Sequence, residues 1–462
     1  MSHLQPPATP LASALLKRLP PHTIITHPEQ LAQYSGDKWF ASALPEAVSL
    51  PENSSQVALS VQAAIEAGAP ITPRGAGFGY VGGCVPSRGG LVISTEKMNR
   101  ILEIHPSDFV AVVQPGVITG HLQQAVREKG LFYPPDPASL HQSSIGGNIA
   151  TNAGGPRCLK YGVTRNYVLG LEVVLPDGRL MHCGSRTHKN KTGLDLVGLF
   201  VGSEGLLGII TQATLRLLPH PPARAVLCAG FPSITHASHA ITAIFSAGFL
   251  PSALEIADQF TLASARSFLP HDPFPPGNAI LIIELDGHPQ PLLEETRTLQ
   301  TLLTQNSAHG IRCATNEHDC EKLWNMRRAF SDSLKATGLK KLNEDIVVPR
   351  GKLVDLVHFA EKLQHRHNIP IACFGHAGDG NIHVNLMIPP EPQAETTAHS
   401  ALNQLFQTIL SWGGAITGEH GVGIAKIPWW NTALDPVARD VHQLIKNALD
   451  PHRIFNPGKF LD

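Results

Sequence analysis

Charge is scarce in this chain. Asp, Glu, Lys and Arg make up only 16% of its 462 residues, against about 25% in ordinary soluble domains. The 36 basic and 37 acidic residues nearly cancel. That balance excludes a basic nucleic-acid footprint and an acidic disordered chain. Cysteine is sparse and scattered: the seven residues Cys84, Cys158, Cys183, Cys228, Cys313, Cys320 and Cys373 include no C-x-x-C pair. A disulfide framework, an iron–sulfur site and a structural zinc knuckle are therefore not expected here. Long hydrophobic runs are missing too. The most apolar stretch, residues 194–210, carries Asp195 and Glu204 and is cut by glycines, which excludes an ordinary membrane span. The opening MSHLQPPATPLASALLKRLPP lacks a long apolar core with a cleavage site, unlike a secretory leader. The expectation is a soluble, cytoplasmic chain.

Glycine and proline are in excess. They number 41 and 38, above the roughly 12% of an average chain but well below low-complexity levels. Many backbone positions therefore need a positive or a fixed φ, as in loops wrapped closely around a ligand. The length suggests two or three domains. Residues 10–35 read as an amphipathic helix, and SSQVALSVQAAIEAG as a serine-capped helix ended by Gly68. Short strands follow up to about residue 220. The PHPP run at 219–222 is the best boundary. Beyond it, helices and strands alternate in a way that suits helices on one face of an antiparallel sheet. The fold class expected is α+β, a two-part first domain with a ferredoxin-like α+β cap. The boundaries are 1–220, 221–425 and a returning C-terminal segment 426–462.

The run Gly77-Phe78-Gly79-Tyr80-Val81-Gly82 matches G-x-G-x-x-G literally. A dinucleotide-binding βαβ unit would need a helix to start there, and Pro86, Gly89 and Gly90 forbid one. Consecutive glycines can instead aim backbone N–H groups at an anion. The second unusual stretch, PPDPASLHQSSIGGNIATNAGG (134–155), combines stiff prolines with small residues, hydroxyls and amides. Such a loop satisfies its own backbone while admitting a flat ligand. With VGSEGLLGIIT (201–211) there are three such segments. Together they fit one extended cofactor with a pyrophosphate and two ring systems.

A second constellation lies downstream. FGHAGDGNIHVNLM places His376 in a glycine turn, with His383 and Asn385 on one face of the following strand. GEHGVG sets Glu419 and His420 between glycines, pointing apart in extended backbone. Two imidazoles and a carboxylate suit a divalent transition metal with open positions. Asp379 is expected to cap the HAGDGN turn. LWNMRRAFSDS reads as a helix bearing Arg327, Arg328 and Ser331, and a guanidinium fork suits a substrate carboxylate.

The segments PRGAGFGYVGG, YPPDPASLHQSSIGGNIATNAGG…KYG, VGSEGLLGIIT and NPGKF resemble the vanillyl-alcohol-oxidase/p-cresol-methylhydroxylase flavoproteins over nearly the whole chain. The likeness is greatest to the D-lactate dehydrogenase and glycolate oxidase catalytic-subunit branch. The resemblance implies FAD. Its contacts would be Arg74, Gly75, Ala76, Gly77, Phe78, Gly79, Gly82 and Gly83 in the first loop, and Pro135, Asp136, Ser139, Gly146, Gly147, Asn148, Thr151 and Gly154 in the second. Glu204, Gly208 and Ile210 in the third and Asn456 near the end complete the set. Relatives with covalent flavin often carry a histidine in the first loop. Here Phe78 stands in that region, so the FAD is expected to be non-covalent. The resemblance further implies that His376, His383 and Glu419 hold Zn²⁺, Mn²⁺ or Fe²⁺. Arg327, Ser331 and Asn385 would bind substrate, and His420 would take the hydroxyl proton. In the D-2-hydroxyglutarate branch a lysine precedes the Asp-x-x-x-Pro strand; the matching position reads as Asn343, which favours small substrates.

The expected reaction is oxidation of a small D-2-hydroxy acid, D-lactate or glycolate, to the 2-oxo acid, with hydride passing to flavin N5. Electrons would leave to a quinone, a cytochrome, an electron-transferring flavoprotein or an iron–sulfur subunit. Any contact with the inner membrane would run through that acceptor, and a homodimer is left open. The competing readings are a D-2-hydroxyglutarate dehydrogenase, a metallohydrolase built on His376, His383 and Glu419, and a non-catalytic flavin-binding subunit.

Overall fold

The chain passes between two units at four points: after Ala153, Gly162, His220 and Gly418. The computed structural model describes residues 9–391 and 394–462. The start of the stretch compared above with a secretory leader lies outside those residues. The first unit holds the chain up to Ala153, Val163–His220 and Glu419–Asp462; the second holds Gly154–Gly162 and Pro221–Gly418. The returning segment thus begins at Glu419 rather than at 426. The excursion Gly154–Gly162 leaves the first unit altogether.

In the first unit a four-stranded sheet runs in the order Ile24–Ile25, Ala47–Ser49, Leu91–Ser94, Ile71–Arg74, the last two pairings parallel. The helix Ser54–Ala67 covers it. Its cap is Asn53, whose side chain accepts from Gln56 N, and not the serine expected; Gly68 ends it at φ 62°. An antiparallel five-stranded sheet runs Ile101–His105, Val110–Val113, Ile209–Arg216, Val168–Val174, Leu180–Gly184. Val57, Val61, Ile71, Leu91, Ile93, Val174, Ile209 and Phe455 share one core. Phe455 belongs there because the C-terminal segment is locked to the first sheet: Ile71 N donates to Ile454 O and Asn456 N to Ile71 O, both at 2.6 Å. The amphipathic stretch 10–35 is not one helix. It breaks into Pro10–Leu16, a short turn at Pro21–Thr23 and Pro28–Leu31, since each proline resets the backbone.

The second unit is built on a seven-stranded sheet in the order His309–Ala314, Ala223–Phe231, Ala279–Gly287, Ala253–Ala257, Ile371–His376, Asn381–Ile388, Lys340–Val347, antiparallel throughout. Helices cover both faces, not the single face expected. Ile234–Ser246, Pro289–Gln305, Leu353–His367 and Ala394–Ser411 pack on one side, and Gln259–Phe268 and Glu317–Lys335 on the other. The strands themselves require this. AILII and the whole of Ile371–His376 and Asn381–Ile388 are buried residue after residue, and a strand without an exposed face needs cover on both sides.

Candidate active site

The face of the seven-stranded sheet beneath Glu317–Lys335 changes character along the strands. Val226, Cys228, Ile280, Ile282, Ala257, Ala372, Phe374 and Met387 form its apolar part. Directly opposed residues of antiparallel strands share a face. Register therefore adds the polar part. Glu255 faces His376, Phe374 faces His383, and on the other side of that strand Asp345 faces His383 and Asn343 faces Asn385. His376 and His383 lie edge to face, with ring centroids 5.6 Å apart. Both are buried, and Asn385 is fully so.

Glu255 ties this face to the helix above it. Its Oε1 lies 2.5 Å from His376 Nδ1, and its Oε2 accepts from Arg327 Nε at 2.5 Å. Burial alone would raise the Glu255 pKa. The neighbouring Arg327 and His376 outweigh that and hold it at about 2. Arg327 also lies over the Phe374 ring, 4.8 Å from its centroid. The next residue, Arg328, points away and pairs with Glu321 at the surface, as adjacent residues on a helix must diverge. Ser331 Oγ accepts from Lys341 Nζ at 2.8 Å. Burial first, then nearby Lys335 and Arg327, depress the Lys341 pKa to about 8.

The asparagines supply acceptors. Asn385 Nδ2 donates to Ala372 O and His383 O. The buried Oδ1 atoms of Asn385 and Asn343 meet no hydrogen-bond donor among the described residues. Asp379 caps its turn by accepting from Asn381 N at 3.1 Å. Asp345 accepts from Asn381 Nδ2, Thr417 Oγ1 and Gly418 N. It thereby fixes the chain one residue before Glu419.

The excursion Gly154–Gly162 is pinned by charge. Arg157 makes a two-pronged contact with Glu284, at 2.8 and 3.2 Å. Arg224 and Trp324 Nε1 hold the same carboxylate. Tyr161 donates to Asp286, which also pairs with Lys160. Gly154 falls within this excursion, apart from the other expected flavin contacts.

The first unit gathers the glycine loops. The Arg74 guanidinium donates to Gly36 O at 2.5 Å and to Cys84 Sγ at 3.2 Å. It therefore braces the first loop from behind. At Gly77, φ is +73° and an added Cβ would meet that guanidinium. A Cβ on Gly75 would lie 2.6 Å from Ser144 Oγ and 3.4 Å from the Gly147 backbone, so the first two loops approach closely there. Gly83 and Gly147 leave their Cβ directions clear of main-chain atoms. Asn148 Nδ2 donates to Thr119 Oγ1, Thr151 Oγ1 to Gly147 O, and Gln123 Nε2 to Pro135 O. The buried Asp136 and the half-buried Ser139 complete that loop. Gly208 is small because Val173 lies against it, and Ile210 sits in the adjoining strand.

Two of the expected flavin contacts also hold neighbouring loops. Asn456 Nδ2 donates to Gly83 O and Glu204 O, joining the first and third loops. The Glu204 carboxylate accepts from Val422 N and Gly423 N, both at 2.8 Å. Burial raises its pKa, and those two N–H groups only partly offset the rise. Glu204 thus shapes the turn that carries His420, whose ring lies 5.1 Å from that of Tyr80. Ala76, Phe78, Gly79 and Gly82 line the same first loop; Lys38 sits over the Phe78 ring. Sequence reasoning missed Glu255, Lys341 and the task of Glu204.

These features agree with known proteins. Residues 45–184 match the family described as FAD binding domain, and residues 220–460 match FAD linked oxidases, C-terminal domain. The glycolate oxidase subunit GlcD of Bacillus subtilis is 38% identical over 93% of this chain and 96% of its own. A D-lactate dehydrogenase of Anaerostipes hadrus is 31% identical over 98% and 97%. A p-cresol methylhydroxylase structure superposes with a TM-score of 0.79 at 19% identity, covering 98% of this chain and 96% of that one, a likeness of fold. With both halves matched in order, the chain belongs to the FAD-linked oxidases and is an FAD-dependent oxidoreductase.

Proposed function

We propose that the protein oxidises a small D-2-hydroxy acid, D-lactate or glycolate, to its 2-oxo acid. The observation that carries this is the meeting, on one sheet face, of the Arg327 fork, the imidazoles of His376 and His383, and the open Oδ1 of Asn385. Those groups match a carboxylate beside a hydroxyl. The relatives named glycolate oxidase subunit and D-lactate dehydrogenase support the same substrate class.

FAD suits the first unit, where Gly75 lies against the Gly147 backbone and Gly83 leaves open space. A divalent cation, Zn²⁺, Mn²⁺ or Fe²⁺, suits the donors His376, His383 and Glu419. Bound there, FAD would supply the hydride acceptor, and a cation held by those donors would polarise the hydroxyl oxygen. Arg327 binds the carboxylate through paired N–H donors. Asn385 Oδ1 accepts from a substrate donor and orients it. His420 Nε2 or Nδ1 takes the hydroxyl proton, the task of a general base.

The sequence contains no C-x-x-C spacing, so electrons pass to a separate acceptor: a quinone, a cytochrome, an electron-transferring flavoprotein or an iron–sulfur subunit. Among the described residues no helix is long and apolar enough to cross a membrane.

Anaerobic addition of D-lactate or glycolate is expected to bleach the oxidised-flavin absorbance, and L-lactate to leave it. Chelator treatment followed by one divalent metal at a time should abolish and restore that bleaching. Full bleaching by substrate after exhaustive metal removal would sink the metal assignment. No response to any 2-hydroxy acid would sink the reading as a whole.

Lys341 supports a second reading. It stands two residues before Asn343 on the same face and reaches Ser331. A cation there suits a second carboxylate, as in D-2-hydroxyglutarate. A preference for that dicarboxylate over D-lactate, lost in Lys341→Met, would establish it.

A further inference from the structure

Glu255 is a carboxylate inside an otherwise apolar strand. It is 1% exposed, and the proposed chemistry gives it no part. Its two oxygens serve different partners. Oε1 lies 2.5 Å from His376 Nδ1, and Oε2 accepts from Arg327 Nε. A mere counter-charge for Arg327 would need only one of them. A carboxylate ionised beside a guanidinium is an acceptor only, so the imidazole nitrogen facing it carries hydrogen. Hydrogen on Nδ1 leaves Nε2 with the lone pair that a cation requires. The contact at Arg327 Nε, with the Phe374 ring beneath the guanidinium, leaves the two terminal nitrogens for another anion.

We propose that Glu255 is a positioning residue acting on two recognition elements at once. It holds His376 in the metal-binding tautomer and aims the terminal nitrogens of Arg327 at the substrate carboxylate. The inference rests on His376 as a metal ligand and Arg327 as the carboxylate fork. Metal site and substrate site then share one carboxylate, and a defect in it weakens both.

Glu255→Gln tests this with almost no change of shape. The amide oxygen must accept from Arg327 Nε, so the amide NH₂ faces His376. That nitrogen then has to accept, and the hydrogen moves to Nε2. In FAD-loaded, chelator-treated protein labelled with ¹⁵N-histidine, the His376 signal is the one missing from His376→Gln. It should report hydrogen on Nδ1 in the native chain and on Nε2 in Glu255→Gln. Zn²⁺ affinity should fall by roughly 10–100-fold, and oxalate, a probe for the carboxylate fork, should bind more weakly. The flavin spectrum should stay unchanged. Glu255→Asp keeps an acceptor-only group and should restore the native tautomer with part of the affinity. An unchanged tautomer in Glu255→Gln would overturn the proposal. So would a Zn²⁺ affinity within twofold of native, or an aspartate variant no better than the glutamine one. A native chain that shows the Nδ1–H signal yet takes up no Zn²⁺ supports the orienting role and defeats the metal assignment instead.

Discussion

The two units build recognition from different material. In the first, the proposed cofactor surface is backbone. Glycines at 75, 77, 83 and 147 leave main chain bare, while Arg74, Glu204 and Asn456 hold the loops through carbonyls and N–H groups. In the second, the surface is side chain. Strands hold Glu255, His376, His383, Asn385 and Lys341 at fixed spacing on one face. A loop made of backbone depends on the absence of side chains and on its braces. A face made of side chains depends on their identity. Substitutions should therefore fail differently in the two halves.

The largest effect should fall where a single side chain does chemistry from within a backbone-framed turn. His420→Ala is expected to lower kcat by roughly 10²–10⁴-fold, with flavin content unchanged in the absorbance spectrum. If kcat survives, the comparison holds but the base lies elsewhere. Arg327→Lys keeps the charge and loses the fork. KM for the hydroxy acid should rise by about 10–100-fold, as for a charged hydrogen bond of about 1.5–3 kcal/mol, with kcat far less altered in steady-state rates. Gly77→Ala should act through the cofactor instead. A left-handed φ and a clash with Arg74 cost of order 1–3 kcal/mol, read as FAD lost on gel filtration. An alanine there that keeps full flavin would break the contrast between the halves.

Asn456→Ala removes two clamps between glycine loops. The expected loss is about 1–3 kcal/mol, seen as a Tm a few degrees lower, with KM intact. The smallest effect is one of pH. Lys341 gives up its proton at about 8 in the folded chain and near 10.4 when unfolded. Between those values the unfolded chain holds more protons, so this group's contribution to stability rises with pH. Over the same range a cation is lost from the face. KM for a dicarboxylic substrate should then climb above pH 8, by up to about tenfold per unit. KM for D-lactate should not, and Lys341→Met should flatten the curve.

The first unit was the more legible in sequence. A loop that needs glycine writes glycine, and PRGAGFGYVGG or SSIGGNIATNAGG can be read without neighbours. What such reading misses is the protein partners that a loop residue also holds. Arg74, Glu204 and Asn456, expected to touch the cofactor, also brace the chain: Arg74 its own loop, Glu204 and Asn456 neighbouring ones. The histidine motifs were legible because glycines frame them. Glu255 was not, because its importance comes from strand pairing with His376, 121 residues away. One signal was available. A lone glutamate within ALEIA, like Glu284 within AILIIELDG, cannot stay unpaired in an apolar strand. Lys341 was hidden for another reason: strand register decides which of LKKLNED lies on which face, and one position of slip separates the readings. Helices on both faces of the large sheet were foreshadowed by AILII, which shows no alternation.

The excursion Gly154–Gly162 bears on how this architecture can be altered. Arg157, Lys160 and Tyr161 are encoded between two flavin-loop segments, yet they complete the ion pairs of the other unit. The second unit, exchanged between relatives as the single block 221–418, would arrive with Glu284 buried and one of its two arginines missing. Breaking a buried pair in that way costs up to about 3–5 kcal/mol. New specificities are therefore easier to reach by point changes on the sheet face than by recombining whole segments, unless a crossover carries residues 154–162 along with the block.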